Sequence, residues 1–279
     1  MLGTPLKLRK VIDRAFGRLD DRSAKILISR YGLYGEEVKT LALLGSAYNL
    51  TRERVRQIED NSLQSLKKFI DGEETKAILE LIHDYLNKIG NLRREDLLVR
   101  DLRILFGVKY EEEIFGNELY LIAKVLGEPE VIDEDDDWHD IWHNDKTSYK
   151  TATSMVGYLL KFKEHNFNKF LEAAMAKFDL PEVVVVNYLS VSKHFGIGPY
   201  GDLGAKHWIH IHPKTVRDKS FLVLKKKGVP LHLKEIASLV NGLGKKQAHP
   251  ATIHNELIKD PRFVLVGRGT YALKEHLKK

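Results

Sequence analysis

Apolar positions in the N-terminal part of the chain return every three or four residues, the period of helices that lay one face on a core. The pattern predicts a helix over Leu6–Phe16 and a second opening at Asp20–Asp21, carrying Ile26 and Leu27 inward and ending at Tyr31–Gly32. Carboxylates suit an opening turn because they face the positive end of the peptide dipoles. Thr40 then caps a brief helix, Leu41–Ala47, and Thr51 caps a long one that runs to Phe69. Tyr48, Asn49 and Leu50 form the corner between them, where a left-handed residue is needed and Asn tolerates that conformation. Asp71-Gly72 closes a first domain over 1–71.

Further on, Ile78, Leu81, Ile82, Tyr85 and Leu86 keep helical spacing and predict an amphipathic helix over Glu73–Lys88. Short helices are expected around Leu97-Leu98 and Leu119–Val125, then a loop or hairpin tip over Glu128–Asp140, with Trp138 and Trp142 anchoring a strand. These make a winged-helix-like domain over 72–145. Residues 146–214 are expected to form a helical, winged-helix-like domain with a hairpin, in which Met155, Tyr158, Leu159 and Phe162 share a helix face and Phe167–Phe178 is a second helix. Val183–Val186 and Tyr188-Leu189 are rich in β-formers, Gly196–Gly204 is a glycine-rich turn region, and Lys206–His212 alternates like a strand. In 215–279 the pattern predicts helices Val216–Lys227, Leu231–Val240 and Pro250–Lys259, with a loop over Asn241–Gly244. A hairpin of Phe263–Val266 and Thr270–Leu273 follows, turning at Gly267-Arg268-Gly269. The expected fold class is mainly α and multi-domain: a helix-turn-helix followed by winged-helix-like modules with short β-hairpin wings.

Charge sharpens this organisation. The net charge of +6 is segregated: residues 1–70 carry 14 Lys/Arg against 8 Asp/Glu, residues 71–145 carry 8 against 21, and residues 146–279 carry 23 against 10. Basic ends around an acidic middle fit two nucleic-acid-facing parts and one that DNA repels, or else solvated faces. There is no cysteine, which excludes disulfides and thiolate metal sites and suits a reducing cytoplasm. No apolar run reaches the ~18 residues of a membrane span, and MLGTPLKLRK lacks the apolar stretch of a signal peptide.

The chemistry centres on Thr51-Arg52-Glu53-Arg54-Val55-Arg56-Gln57-Ile58-Glu59. At ~100° per residue, Val55, Ile58, Ser62, Leu66 and Phe69 fall on one stripe that faces the core. The opposite side displays Glu53, Arg56, Gln57 and Asp60, with Arg52 in the first turn. Arg, Gln and Glu carry the donors and acceptors that match guanine, adenine and cytosine edges in the major groove. They stand at the end of the helix where a recognition helix touches bases. Gly45 in the preceding helix is disfavoured by ~1 kcal/mol against Ala, so its expected role is to admit the close approach of the next helix.

On these residues Leu19–Phe69 resembles region 4 of the sigma-70 family of bacterial RNA polymerase sigma factors, the domain that reads the promoter −35 element. The matching pieces are Leu19-Asp20-Asp21-Arg22, Arg30-Tyr31-Gly32-Leu33, Thr40-Leu41, Gly45 and the run Thr51 to Glu59. The resemblance implies that Arg52, Glu53, Arg56 and Gln57 contact bases, and that Arg54 and Lys67-Lys68 serve phosphates or polymerase. It names double-stranded DNA and RNA polymerase core as partners. The sequence departs from the family at Ala42-Leu43, Asn49 and Asp60-Asn61; the last pair stands where the family has Ala-Lys, so it removes a cation and adds an anion beside the DNA. Nothing in the chain resembles the promoter-melting helix of sigma region 2.

The last unit, Val216–Leu273, resembles the HARE-HTH domain through Leu231–Ala237, Thr252-Ile253 and Gly267–Leu273. That domain occurs in the delta subunit of bacterial RNA polymerase, in chromatin proteins and beside restriction enzymes. Its third helix presents Thr252, His254, Asn255 and Lys259, and its wing offers Arg262 and Arg268, suited to phosphates or to a protein partner.

Other chemistry finds little support. His139 and His143, and His207, His210 and His212, lack a His-Glu-x-x-His pattern and read as surface or packing residues. Asp133–Asp137 lacks the spaced ligands of a calcium loop, and Gly196–Gly204 lacks the Gly-Lys-Ser/Thr of a phosphate loop. No metal, cofactor, small-molecule ligand or catalytic group is expected. The leading expectation is a sigma-like, promoter-recognising transcription factor; the alternatives are an interaction scaffold or polymerase accessory subunit, and a restriction-associated DNA-binding protein.

Overall fold

The computed structural model describes residues 8–70, 72–244 and 246–278. Leu6 of the first expected helix and Asp71 of the expected boundary lie outside the described residues. Contacts group the chain into two units, one of residues 1–155 and 177–193, the other of 156–176 and 194–279.

The first unit opens with α1 (Leu8–Phe16), α2 (Asp21–Tyr31), α3 (Leu41–Tyr48) and α4 (Arg52–Ile70). Asp20 caps α2, its carboxylate accepting from the Arg22 and Ser23 amides; hydrogen bonding from the Ser23 side chain, then from these amides, holds its pKa below the usual carboxylate value. Next come α5 (Glu73–Lys88), β1 (Leu92–Arg94), α6 (Glu95–Leu105), α7 (Glu112–Leu126), β2 (Glu130–Ile132) and β3 (Ile141–His143). The strands form an antiparallel sheet in the order β1-β3-β2, with Leu92 opposite His143 and Val131 opposite Trp142. The acidic stretch from Glu128 to Asp140 therefore holds β2 and the loop that returns to β3. The two segments expected to be separate domains share one core: Leu8, Ile12, Leu66 and Ile70 pack in the same cluster as Ile78, Leu98, Phe115, Leu119 and Trp142.

The structure departs from the β reading of Val183–Val186. These residues lie in α10 (Glu182–Ser190), which follows α8 (Lys146–Leu160) and α9 (Phe167–Phe178). Val184, Val185, Tyr188 and Leu189 are all buried, a helical spacing that overrides their β propensity. Asn187 fixes this helix to the sheet: its amide donates to the Ile89 and Leu92 carbonyls at 2.8 and 2.7 Å and accepts from Arg93 at 2.9 Å.

In the second unit the hairpin is β4 (Phe195–Ile197) with β5 (Leu203–Ala205), either side of a glycine-containing turn. Lys206–His212 is not a strand. It folds into consecutive turns, with the Trp208 amide donating to Ala205 and the Ile211 amide to Trp208, which buries both side chains three residues apart. The C-terminal segment runs α11 (Val216–Lys227), β6 (Leu231–His232), α12 (Leu233–Gly242), α13 (Pro250–Lys259), β7 (Phe263–Gly267) and β8 (Thr270–Leu273). Leu231 and His232, expected to begin a helix, pair with β8 instead, and His232 becomes the cap of α12. That helix also takes in Asn241 and Gly242, expected to be loop. The sheet order β6-β8-β7 repeats the arrangement of the first unit: helix, strand, two helices and a hairpin, with the lone strand against the last one.

Candidate nucleic-acid interface

The helix-turn-helix is built from α3, its corner and α4. Thr40 caps α3 by accepting from the Leu43 amide at 3.3 Å, and Thr51 accepts from the Arg54 amide at 3.1 Å at the head of α4. Asn49 takes the left-handed conformation at φ 54°, and its amide and that of Leu50 both donate to the Gly45 carbonyl. The corner backbone presses on Gly45: a Cβ there would lie 2.8 Å from the Leu50 oxygen and 3.4 Å from the Arg52 nitrogen. A small core of Ile26, Leu44 and Val55, with Leu41, Tyr48, Leu50 and Ile58 around it, closes the motif.

One face of α4 buries Val55, Glu59, Ser62, Leu66 and Ile70. Two positions differ from the expected stripe. Phe69 is exposed with the Arg18 guanidinium over its ring, and Ile70 takes the core position, because successive steps of three and four residues lead from Val55 to Ile70. Glu59, not singled out by its chemistry, is buried and accepts from the Tyr31 hydroxyl at 2.9 Å and from Arg30 Nε at 3.2 Å. Burial and this carboxylate drive the Tyr31 phenol far above its ordinary pKa. The spacing from Val55 was the available signal for Glu59.

Thr51, Arg52, Glu53, Arg54, Arg56, Gln57 and Asp60 are all exposed. Arg54 Nη1 donates to Gln57 Oε1 at 3.1 Å. Arg56 donates through Nε and Nη2 to the two Glu53 oxygens, at 3.0 and 2.7 Å, and through Nη1 to Asp60 at 2.7 Å. The hydrogen bond from Arg56 holds the Glu53 carboxyl below its usual pKa, and the same bond raises the guanidinium's. Lys67 and Lys68 are exposed too, Lys67 reaching the Leu126 carbonyl.

Beside this helix lies a cleft of ≈ 570 Å³ whose lining includes Glu59, Asp60 and Leu63 of α4, and Glu95, Asp133 and Asp140 of the sheet module. The acidic β2–β3 connection thus borders the same helix that exposes the polar residues. Burial raises the Glu95 pKa, and the Asp140 and Asp133 charges add to the rise, against a hydrogen bond from Trp142 Nε1. His143 is buried in β3 and His139 half-buried, and burial lowers both pKa values. Among the described residues no group of three or more His, Asp or Glu is placed to hold a metal ion.

In the second unit Thr252, Asn255 and Lys259 are exposed on α13, and Arg268 is exposed in the turn between β7 and β8. His254 is engaged with the Tyr271 hydroxyl at 2.8 Å. Arg262, expected as a wing cation, is instead tied to Asp260 at 2.7 Å and lies over the Phe221 ring.

The family model of sigma-70, region 4 matches residues 15–68, the segment that contains α2, α3 and most of α4. The chain is 42% identical over 66 residues to RNA polymerase sigma factor RpoS of Coxiella burnetii, covering 24% of this chain and 19% of that protein. It is 47% identical over 57 residues to RNA polymerase principal sigma factor HrdD of Streptomyces coelicolor, covering 20% and 17%. It is 40% identical over 60 residues to RNA polymerase sigma factor SigA of a Nostoc species, covering 22% and 15%. Residues 15–68 are thus a sigma-70 region 4 domain, and the chain spans less than a fifth of the length of each of these relatives.

Proposed function

We propose that the chain is a sigma-like DNA-binding factor of transcription initiation that reads −35-type promoter DNA with α4 and contacts RNA polymerase core. The observation that carries this reading is the exposure of Arg52, Glu53, Arg56 and Gln57 on the first two turns of α4, directly after a helix-turn-helix corner. Those side chains match base edges, while Thr51 and Arg54 stand at the helix end where amides and cations receive a phosphate. The named activity of the matched relatives supports the same reading. It is a binding function without a chemical step, carried out in the cytoplasm on nucleoid DNA.

The C-terminal segment supplies a second contact in this reading. Its helix–strand–helix–helix–hairpin order supports the winged-helix, HARE-HTH-like assignment. Thr252, Asn255 and Lys259 would lie along the duplex with Arg268 on a phosphate. A protein-docking role for this segment is favoured by the exposed Ile258, Leu265 and Val266 on α13 and β7.

Selection of bound sequences from random duplex DNA, by the full chain with and without polymerase core, tests the assignment. Enrichment of one short site is the expected result. A pool that stays random in both arms rules the reading out.

A further inference from the structure

Arg56 is not a free cation. Glu53 stands three residues before it and Asp60 four residues after it, so the two carboxylates flank it along one face of α4. Glu53 takes the edge formed by Nε and Nη2, and Asp60 takes one hydrogen of Nη1 from the other side. A guanidinium has five N–H donors, of which three are then engaged. The two left over are one on Nη1 and one on Nη2. With Glu53 on the Nε–Nη2 edge, the edge joining Nη1 and Nη2 is the one that no carboxylate takes with both oxygens. Two parallel donors on one edge are what guanine O6 and N7 accept in the major groove.

We propose that Asp60 is a positioning residue for base reading: with Glu53 it clamps Arg56 so that its Nη1–Nη2 edge is presented, already oriented, to a guanine. The inference rests on α4 being the recognition helix and adds what sets its selectivity. Orientation matters because an unclamped arginine must lose its rotamer freedom on binding, and because it can also swing to a phosphate that carries no sequence information. Asp60 also repels phosphates, so it weakens binding to every duplex alike. Geometry and charge therefore act in opposite directions, and one variant separates them.

The test uses the full chain and the duplex obtained by selection, at fixed salt. Affinity is measured for that site, for four-way replacements at each of its base pairs, and for an unrelated duplex. Asp60→Ala is expected to bind the unrelated duplex more tightly than wild type. At one guanine-containing pair, and only there, its penalty for a wrong base falls by about two- to tenfold, the scale of ordering one long side chain. Asp60→Glu restores the carboxylate and keeps the penalty. Circular dichroism melting checks that the variants are folded. An Asp60→Ala chain that keeps the wild-type penalty at every pair overturns the proposal, as does an Asp60→Glu chain no more selective than Asp60→Ala. A wild-type chain that enriches no site refutes the recognition-helix reading itself. Unchanged discrimination in the variant, with a selected site in hand, refutes only the clamp.

Discussion

A Cβ on Gly45 would stand 2.8 Å from the carbonyl oxygen of Leu50, in the corner that leads into α4. The obstacle is backbone, so it cannot swing aside as a long side chain would. Alanine in an exposed helix gains about 1 kcal/mol over glycine, but Gly45 is buried, and overpacking costs about 1–3 kcal/mol. Gly45→Ala is therefore expected to lower the melting temperature and to weaken DNA binding by displacing the head of α4. A variant at least as stable as wild type, with unchanged DNA affinity, would contradict the close approach.

In the proposed reading, Arg56→Ala removes a base contact rather than a phosphate contact. Affinity for the selected duplex should fall about tenfold or more, with relaxed base choice at one pair and little change in the salt dependence. Fluorescence anisotropy over a salt series distinguishes this from loss of a phosphate contact, which would flatten the slope and spare selectivity.

Glu118 in α7 is buried where Arg9 Nε donates to it at 2.7 Å, with the Tyr110 hydroxyl also bonded to it. Burial raises its pKa above the usual carboxylate value, and the hydrogen bonds from Tyr110 and Arg9 offset part of that rise. Because the folded pKa lies above the unfolded one, the folded state holds the proton more tightly. The associated stability is full below the unfolded value and is lost as pH rises through the folded value. Glu118→Gln should remove this pH-dependent loss. Denaturant titrations at successive pH values should show the difference between Gln and wild type moving in favour of Gln upward from about pH 4. A gap that stays constant, or moves the other way, would show that the Arg9 pairing outweighs burial.

Asp133 is exposed and shares a cleft with Asp60 beside α4. An anion so placed lowers the local attraction for phosphates. Asp133→Asn should tighten binding to selected and unrelated duplexes by similar, modest factors, most visibly at low salt where screening is weak. Binding that weakens would mean that the acidic loop contributes to the DNA contact.

Much of α1–α4 could be read in advance because its signals are local. Asp20, Thr40 and Thr51 cap through their own neighbours, Asn49 turns the corner through its own backbone, and Arg52, Glu53, Arg56 and Gln57 are exposed because Val55 and Leu66 point inward on the same helix. The same holds for Glu73–Lys88, Phe167–Phe178 and Pro250–Lys259, whose bounds agree with the periodicity. The errors fell where a distant partner decided. Val183–Val186 is helical because its 3.6-residue spacing, and not its β-branching, meets the core, and Asn187 bonds carbonyls at Ile89 and Leu92. The short strands β1 and β6 carry too few residues for a period and exist through pairing with β3 and β8.

The sequence by itself determined which side chains α4 exposes: periodicity, caps and a left-handed corner are properties of neighbours along the chain, and they set the head of α4 without further help. Only the tertiary structure decided what stands around that helix. It joined residues on both sides of 71–72 in one core, turned Glu59 inward onto Tyr31 and Arg30, and brought Asp133 to the cleft that Asp60 lines. Burial and the charges of remote segments depend on what folds against what, which no local spacing encodes.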